Sequence, residues 1–579
     1  MDFTIKNLKK KQYSISVLFF ISIFGTTFCN IDIFINSELI SKWYWLYIIV
    51  SICGLLFLFT KNRRTEKFGL SDYFGIILLL YCFFRTLTGQ FTLSFISTYT
   101  LFIIIYYLAN KLIQGRLFRL FAASVVISSL SLALYGILQY AGFFVSDGKF
   151  NVVGNFDNPA GYASALAFSL PFILYFVLFE KKWMKYTAWC GYAIIVIAIV
   201  LSDSRAGVLA VIVLSLLYVF KRYNVVLFNM VIWKKGILTL VIISILSGLY
   251  FAKKNSANGR LLIWKCTWEM IKEKPLFGHG YKSFEAEYML YQARYFEQDP
   301  NSKFVLLADN VKHPFNEPLL LIAEFGLIAF LFLVLFVITL IRAYLNNQCN
   351  EQYILMLVFA AVFIFSCFSY PFSYPFTWLI LAFSLGALNA LSAQNRERFR
   401  GYWISKLLIL STSIILLFFT IRGMYYENRW FKAFNQVGPG KVQQVLSEYE
   451  YLHSYLNKNA YFLYNHAAQL NYAGRQDKSI KIVTECENLW NDYDIQMLKA
   501  DNYKKLHELG KAKDSYILAS QMCPNRFMPL YELVNMHDST SQPDIALELA
   551  KEIIDKPVKI PSAAISAIKI RMKKRAGHE

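Results

Sequence analysis

LIAFLFLVLFVITLI, residues 327–341, is a run of fifteen residues without a charged side chain. In lipid such a run can satisfy its backbone only as a helix, because no water is there to bond a free N–H or C=O. Just upstream stands HPFNEPLLLIAEFG (313–326), whose Pro314 favours an extended approach into the helix that follows. A second run, YWLYIIVSICGLLFLF (44–59), has the same character. Read this way, the chain offers thirteen candidate spans, near 14–35, 43–60, 71–88, 91–109, 117–140, 159–179, 184–202, 205–220, 236–252, 318–341, 353–369, 375–391 and 404–421. Of its 579 residues 56% are hydrophobic and 17% aromatic, and the mean hydropathy is +0.40. Soluble chains average roughly 45–50% apolar. The expected fold class is all-α: a polytopic membrane protein.

The formal charge of +21 does not point to nucleic acid, because the positive residues are sorted by loop. With the N-terminus cytoplasmic, the loops on that side hold 22 Lys and Arg, whereas the short loops opposite hold Lys42, Lys149 and Arg205. That asymmetry is a topology signal. It places residues 253–317 and everything after 421 on the non-cytoplasmic side of the membrane. No small-residue cleavage site follows the first apolar run, which reads as retained. The nine cysteines include no CxxC pair, so neither a disulfide framework nor a zinc site is expected.

Three parts emerge: a membrane domain (1–421), its extracytoplasmic insert (253–317), and a tail (422–579). The tail has no run long enough to span. It repeats a helix, glycine turn, helix pattern in AYFLYNHAAQLNYAGRQDKSIKIVTECENLW (460–490) and IQMLKADNYKKLHELGKAKDSYILASQMCP (495–524). The turn glycines, Gly474 and Gly510, are 36 residues apart, and DIALELAKEIIDKPVKI (544–560) reads as a last repeat helix. This resembles the tetratricopeptide (TPR) period of about 34 and predicts a TPR-like α-solenoid.

A chain with this many spans invites a transporter or lipid-glycan flippase reading, in which ionisable residues line a path through the bilayer. Few charges lie within the spans: Arg85 and Asp32 stand near ends, and Glu324 about two turns in. The polar residues gather instead at the outer surface, in VGNFDNPAGYA (153–163), SDSRAG (202–207), NGRLLIWKCTWEMIKEKPLFGHG (258–280) and HPFNEPLLLIAEFG (313–326). Chemistry at the interface is favoured over passage.

These four stretches, in this order, resemble the O-antigen ligase and polymerase superfamily, which includes lipopolysaccharide O-antigen ligases, O-antigen polymerases and bacterial protein O-oligosaccharyltransferases. GNFDNPAGYAS is similar to the family's entry to a span and SRAG to its serine-arginine turn. Arg260, Trp264, Met270, Pro275, Gly278, Gly280 and Phe284 match the loop pattern, and FNEPLLLIAEFG the closing motif. The resemblance covers about residues 150–391. It implies transfer of an oligosaccharide from a polyprenyl diphosphate to an acceptor hydroxyl, inverting and without nucleotide sugar, metal or cofactor.

Arg205 and Arg260 correspond to the family's diphosphate-contacting arginines. Arginine suits a leaving diphosphate, since it stays charged and presents a planar fork of donors. A histidine suits the acceptor's proton. Here the chain departs from the pattern: Phe315 occupies the usual histidine slot and His313 lies two residues earlier. His313 is the first candidate base; His279, in GHG, is the other, with Glu317 or Asp309 as a non-histidine substitute. Asn155, Asn158, His279, Asn316 and Glu317 complete the expected substrate-binding set, Asn155 and Asn158 also being candidates to cap the span at Pro159. The glycines of the insert are expected to let backbone approach a glycan-lipid. No metal-binding spacing occurs in the outer carboxylates. The expected partners are the polyprenyl-linked glycan, an acceptor in lipid A core, a glycan end or an exported protein, membrane lipids, and a protein partner on the tail.

Overall fold

The structure is a computed structural model. It describes residues 17–18, 20–59, 66–87, 93–112, 116–144, 150–223, 253–346, 349–392, 397–399, 402–436 and 442–577, with eight further positions between 233 and 251. The described chain is helical apart from loops and one short antiparallel pair, Glu66–Phe68 against Glu397–Phe399.

Nine described helices are long and apolar enough to cross a membrane. They are α1 (Ser37–Phe57), α2 (Leu70–Leu87), α3 (Leu93–Leu112), α4 (Arg116–Tyr140), α5 (Pro159–Phe179), α6 (Lys182–Leu201), α10 (Glu317–Leu345), α11 (Asn350–Phe368) and α13 (Tyr402–Asn435). Two more expected spans are helices that fall short. α7 (Arg205–Arg222) carries three basic residues in 18, and α12 (Pro375–Leu391) has only 17 residues. Of the span expected at 14–35, residues 17–18 and 20–28 are helix and the chain then turns; the span expected at 236–252 lies largely outside the described residues. The chain is thus a polytopic membrane protein.

α5 is the centre of the bundle. Every residue from Gly161 to Val177 is buried, and α4, α6, α7 and α11 pack around it. Small residues (Gly161, Ala163, Ser164, Ala165, Ala167) let neighbours approach closely, which is how helices associate where lipid is as apolar as leucine. Asn158 caps α5, its side chain accepting from the Ala160 and Gly161 amides, and Pro159 fills the first turn. Lys42, counted above as a loop residue, is instead a fully buried member of α1, its ammonium over the Phe156 ring.

α8 (Lys254–Glu273) and α9 (Ser283–Gln298) form the insert. Between them the 275–280 loop is bonded to a break in α10, where Gly326 leaves the helical backbone (φ 79). Leu327 donates to the Pro275 carbonyl, and the His279 and Gly280 amides donate to Ala323 and Glu324. A Cβ on Gly326 would stand 2.0 Å from the Leu276 carbonyl oxygen, and one on Gly278 2.4 Å from the Glu324 backbone. Gly278 of the insert and Gly326 of α10 therefore serve an insert–helix joint, whereas a Cβ on Gly259 or Gly280 would meet nothing within 4 Å.

After residue 421, where the tail was expected to begin, α13 continues unbroken to Asn435. Then come α14 (Val442–Leu456), α15 (Ala460–Tyr472), α16 (Gln476–Glu487), α17 (Tyr493–Lys505), α18 (Leu509–Met522), α19 (Met528–Ser539), α20 (Pro543–Asp555) and α21 (Ala563–Arg575), each packed on the next. Gly474 makes a left-handed turn as expected. Gly510 does not: it lies inside α18, and His507 takes the left-handed position. With Ser541, such turns recur at 474, 507 and 541. The insert and tail share one apolar core, in which Met270, Phe284 and Tyr288 meet Tyr493, Met522 and Cys523.

Candidate functional site

α8 presents Ser256, Arg260 and Trp264 at intervals of four, hence on one face. Each meets a different part of the chain. Ser256 accepts a hydrogen bond (2.9 Å) from Arg205, the first residue of α7, which also reaches the Lys253 carbonyl. Arg260 lies 5.3 Å over the Phe315 ring. Trp264 donates from Nε1 to the Pro314 carbonyl at 2.9 Å. One helical stripe so gathers the two arginines and the turn that leads into α10.

Among the described residues, the Arg260 guanidinium has no hydrogen bond or ion pair. Burial, and then the like charge of Arg205, lower its pKa to about 10, which leaves it charged at neutral pH. Asp203 acts on Arg205, whereas no carboxylate acts on Arg260, which is left a half-buried cation without an anionic partner among the described residues.

Tyr370 lies at the centre of the arrangement, in the loop between α11 and α12. His313 stacks on it with ring centroids 4.8 Å apart, and Phe315 meets it at 5.4 Å. Phe315 adopts a left-handed backbone (φ 54), uncommon for a bulky residue, and with this turn both rings reach Tyr370. The Tyr370 hydroxyl accepts from Asn158 Nδ2 at 2.8 Å. The same amide reaches the Tyr374 hydroxyl, which donates to Asp157 at 3.0 Å. Neither nitrogen of His313 has a hydrogen-bond partner among the described residues. Burial lowers its pKa below the usual histidine value; Glu285 and Asp157 oppose this, while Lys312 and Lys282 add to it. At neutral pH the imidazole is therefore uncharged and able to accept a proton. Beside it, burial would lower the Lys282 ammonium, but Glu285, Tyr281 and Glu324 hold it raised.

Of the residues expected from sequence, Arg205, Arg260, His313 and Asn158 come together. Glu317 is the first residue of α10, beside the backbone of Phe372. The rest are placed otherwise. Asn155 donates to the Phe28 carbonyl, and Asn316 caps α10 while holding the Cys367 carbonyl. Asp309 pairs with Arg526 and Lys559 of the tail. His279 is locked in the joint: Nδ1 bonds Glu287 at 2.6 Å, Nε2 the Met270 carbonyl at 2.8 Å, and its side chain is 1% exposed. Both nitrogens are used, so a substrate would find none free.

Tyr370 and Tyr374 were missed in the sequence. Their signal was SYPFSYPF (369–376), a repeated Ser-Tyr-Pro-Phe between two spans. Among the described residues no three His, Cys, Asp or Glu side chains stand close enough to hold a metal ion together.

No curated protein matches the chain. Residues 190–334 match the family model described as O-antigen ligase, a segment that includes Arg205, Arg260 and His313 but ends before Tyr370. By that match the chain carries, over residues 190–334, a domain of the O-antigen ligase superfamily, and the two arginines and His313 lie within it.

Proposed function

We propose that the protein is an inverting membrane glycosyltransferase, which moves an oligosaccharide from a polyprenyl diphosphate to an acceptor hydroxyl at the outer face of a bacterial inner membrane. The acceptor oxygen attacks the anomeric carbon from the side opposite the diphosphate. The bond to the diphosphate oxygen breaks with its electron pair, and the hydroxyl proton passes to His313. Arg205 and Arg260 take the charge that develops on the leaving diphosphate. That charge is largest at the transition state, where fixed cations are most effective. No metal or cofactor takes part.

The observation that carries this reading is the pair of arginines, Arg260 on one stripe of α8 and Arg205 bonded to Ser256 of that stripe, close to an imidazole with both nitrogens unbonded. A flippase would need no base and no nucleophile's path. The tail is read as a TPR-like solenoid, in keeping with its left-handed turns 33 and 34 residues apart. The acceptor belongs to lipid A core, to the end of another glycan, or to Ser and Thr of an exported protein.

Purified protein is given the lipid-linked oligosaccharide of its source strain together with each acceptor. Release of polyprenyl diphosphate, matched by glycan on one acceptor, is the expected result. Movement of the lipid-linked glycan across vesicles without bond cleavage would overturn the reading in favour of a flippase.

A further inference from the structure

The transfer chemistry leaves one set of contacts unused, and these converge on the loop that delivers His313. The Ala308 carbonyl accepts from Asn525 at 2.6 Å, Asp309 pairs with Arg526 at 3.0 Å, and Asn310 donates to Asp494 at 2.9 Å. The last of the series is Lys312. Its ammonium donates to the Tyr461 hydroxyl at 2.7 Å, and lies 4.2 Å from the Tyr461 ring centroid and 3.9 Å from that of Trp490.

This is an aromatic grip on a cation, formed by two tail side chains whose rings are themselves 5.2 Å apart. Trp490 is 7% exposed, inside the core that joins α14 to α17, so the grip is built on a rigid base. A lysine in open solvent would be free to rotate; here the ring faces, the hydroxyl and the shortness of the loop fix both the ammonium and the backbone. Lys312 immediately precedes His313, so whatever fixes the one places the other.

We infer that Lys312, held between Tyr461 and Trp490, is a positioning residue that keeps the His313 imidazole stacked over Tyr370, and that the tail is in this way part of the support of the reaction centre. This rests on the proposed role of His313 as base. It gives the tail a task in every turnover, whatever the acceptor.

A purely structural brace would change the amount of folded protein. A positioning residue should change kcat, and its charge should change the titration of its neighbour. The groups that face His313 are Lys312 in its own loop, Lys282 and Glu285 before and in α9, Asp157 at the α5 entry, and Tyr370, with Arg260 beyond Phe315. Lys312 and Lys282 lower the His313 pKa, so removal of the Lys312 charge must raise it. The base form is then lost at a higher pH as the solution is acidified.

The test uses the full-length protein, its source strain's lipid-linked oligosaccharide, and release of polyprenyl diphosphate as the readout. Lys312→Met and Trp490→Ala should each lower kcat about tenfold or more while the donor KM stays within about twofold. In Lys312→Met the acid limb of the pH–rate profile should move upward, and Lys312→Arg should restore both rate and limb. Wild-type kcat and an unmoved limb in Lys312→Met would overturn the inference. Arg260→Ala and His313→Ala are assayed alongside: if they too keep wild-type turnover, it is the proposed function that fails. If Lys312→Met or Trp490→Ala aggregates, Tyr461→Phe decides, since it keeps the ring and removes only the hydroxyl. A fall of several-fold in kcat at constant KM supports the inference, and an unchanged kcat overturns it.

Discussion

The two ends of α8 look alike in sequence and differ in everything that matters to chemistry. Each offers a basic side chain and a nearby histidine: Arg260 with His313 at one end, Lys274 with His279 at the other. At the first end the guanidinium faces another arginine and the imidazole nitrogens are unbonded. At the second, both nitrogens of His279 are bonded, and the backbone around it is joined to α10 through four hydrogen bonds. Saturated polar groups hold a fold together, whereas groups left wanting partners await a ligand. By that criterion the first end is the reaction centre we propose and the second a joint.

The comparison breaks most readily at His313. His313→Ala should lower kcat by about 10²–10⁴-fold, the range for a general base. Because burial lowers its pKa, the wild-type acid limb should lie below the ordinary histidine value of about 6.5, activity falling as pH drops through it. The limb should be absent from His313→Ala. Retention of the wild-type limb in that variant would assign the base elsewhere.

Next in size is Arg260→Ala, with an expected loss of about 10²–10³-fold in kcat, by analogy with removal of an oxyanion donor. Arg260→Lys should recover only part of it, since the fork is gone. Full recovery by lysine would reduce the clamp to a simple charge.

The other end should respond in stability. His279→Ala leaves Glu287 and a buried carbonyl without their partner, at a cost of about 1–3 kcal/mol. Thermal melting of the detergent-solubilised protein should fall while turnover per folded molecule holds. A loss of turnover with unchanged melting would make His279 a site residue after all. Smallest of the four is Tyr370→Phe, which keeps the stack on His313 and removes the hydroxyl that meets Asn158. A decrease of about two- to tenfold is expected, for one neutral hydrogen bond near the site; a loss as large as that of His313→Ala would give the hydroxyl a direct part in the reaction.

What was legible in the sequence follows from range. Apolar runs such as 44–59 announce helices because lipid leaves the backbone one solution, and the Asn158–Pro159 cap is local. The arginines were legible through the motifs around them, SRAG and NGRLLIW. The break in α10 was not: Gly326 sits in an apolar run, and its reason is a backbone segment some fifty residues earlier in the chain. His279 misled for the same cause, its partners Glu287 and Met270 being fixed only once α8 and α9 pack. Tyr370 carried no charge and no titration to attract notice, although the doubled Tyr-Pro pair was in plain view.

α13 has a consequence of its own. Its 34 unbroken residues, at about 1.5 Å each, extend roughly 50 Å, and a bilayer core takes up about 30 Å of that. The remainder stands clear of the lipid as a stiff mast, and its far end enters the first tail core through Trp430. Height and heading of the tail are therefore ruled by residue count. One residue inserted near 425 would turn everything beyond it by about 100°, and seven would lift it by about 10 Å with little rotation. The mast is a gauge that sets how far above the membrane the tail meets the His313 loop.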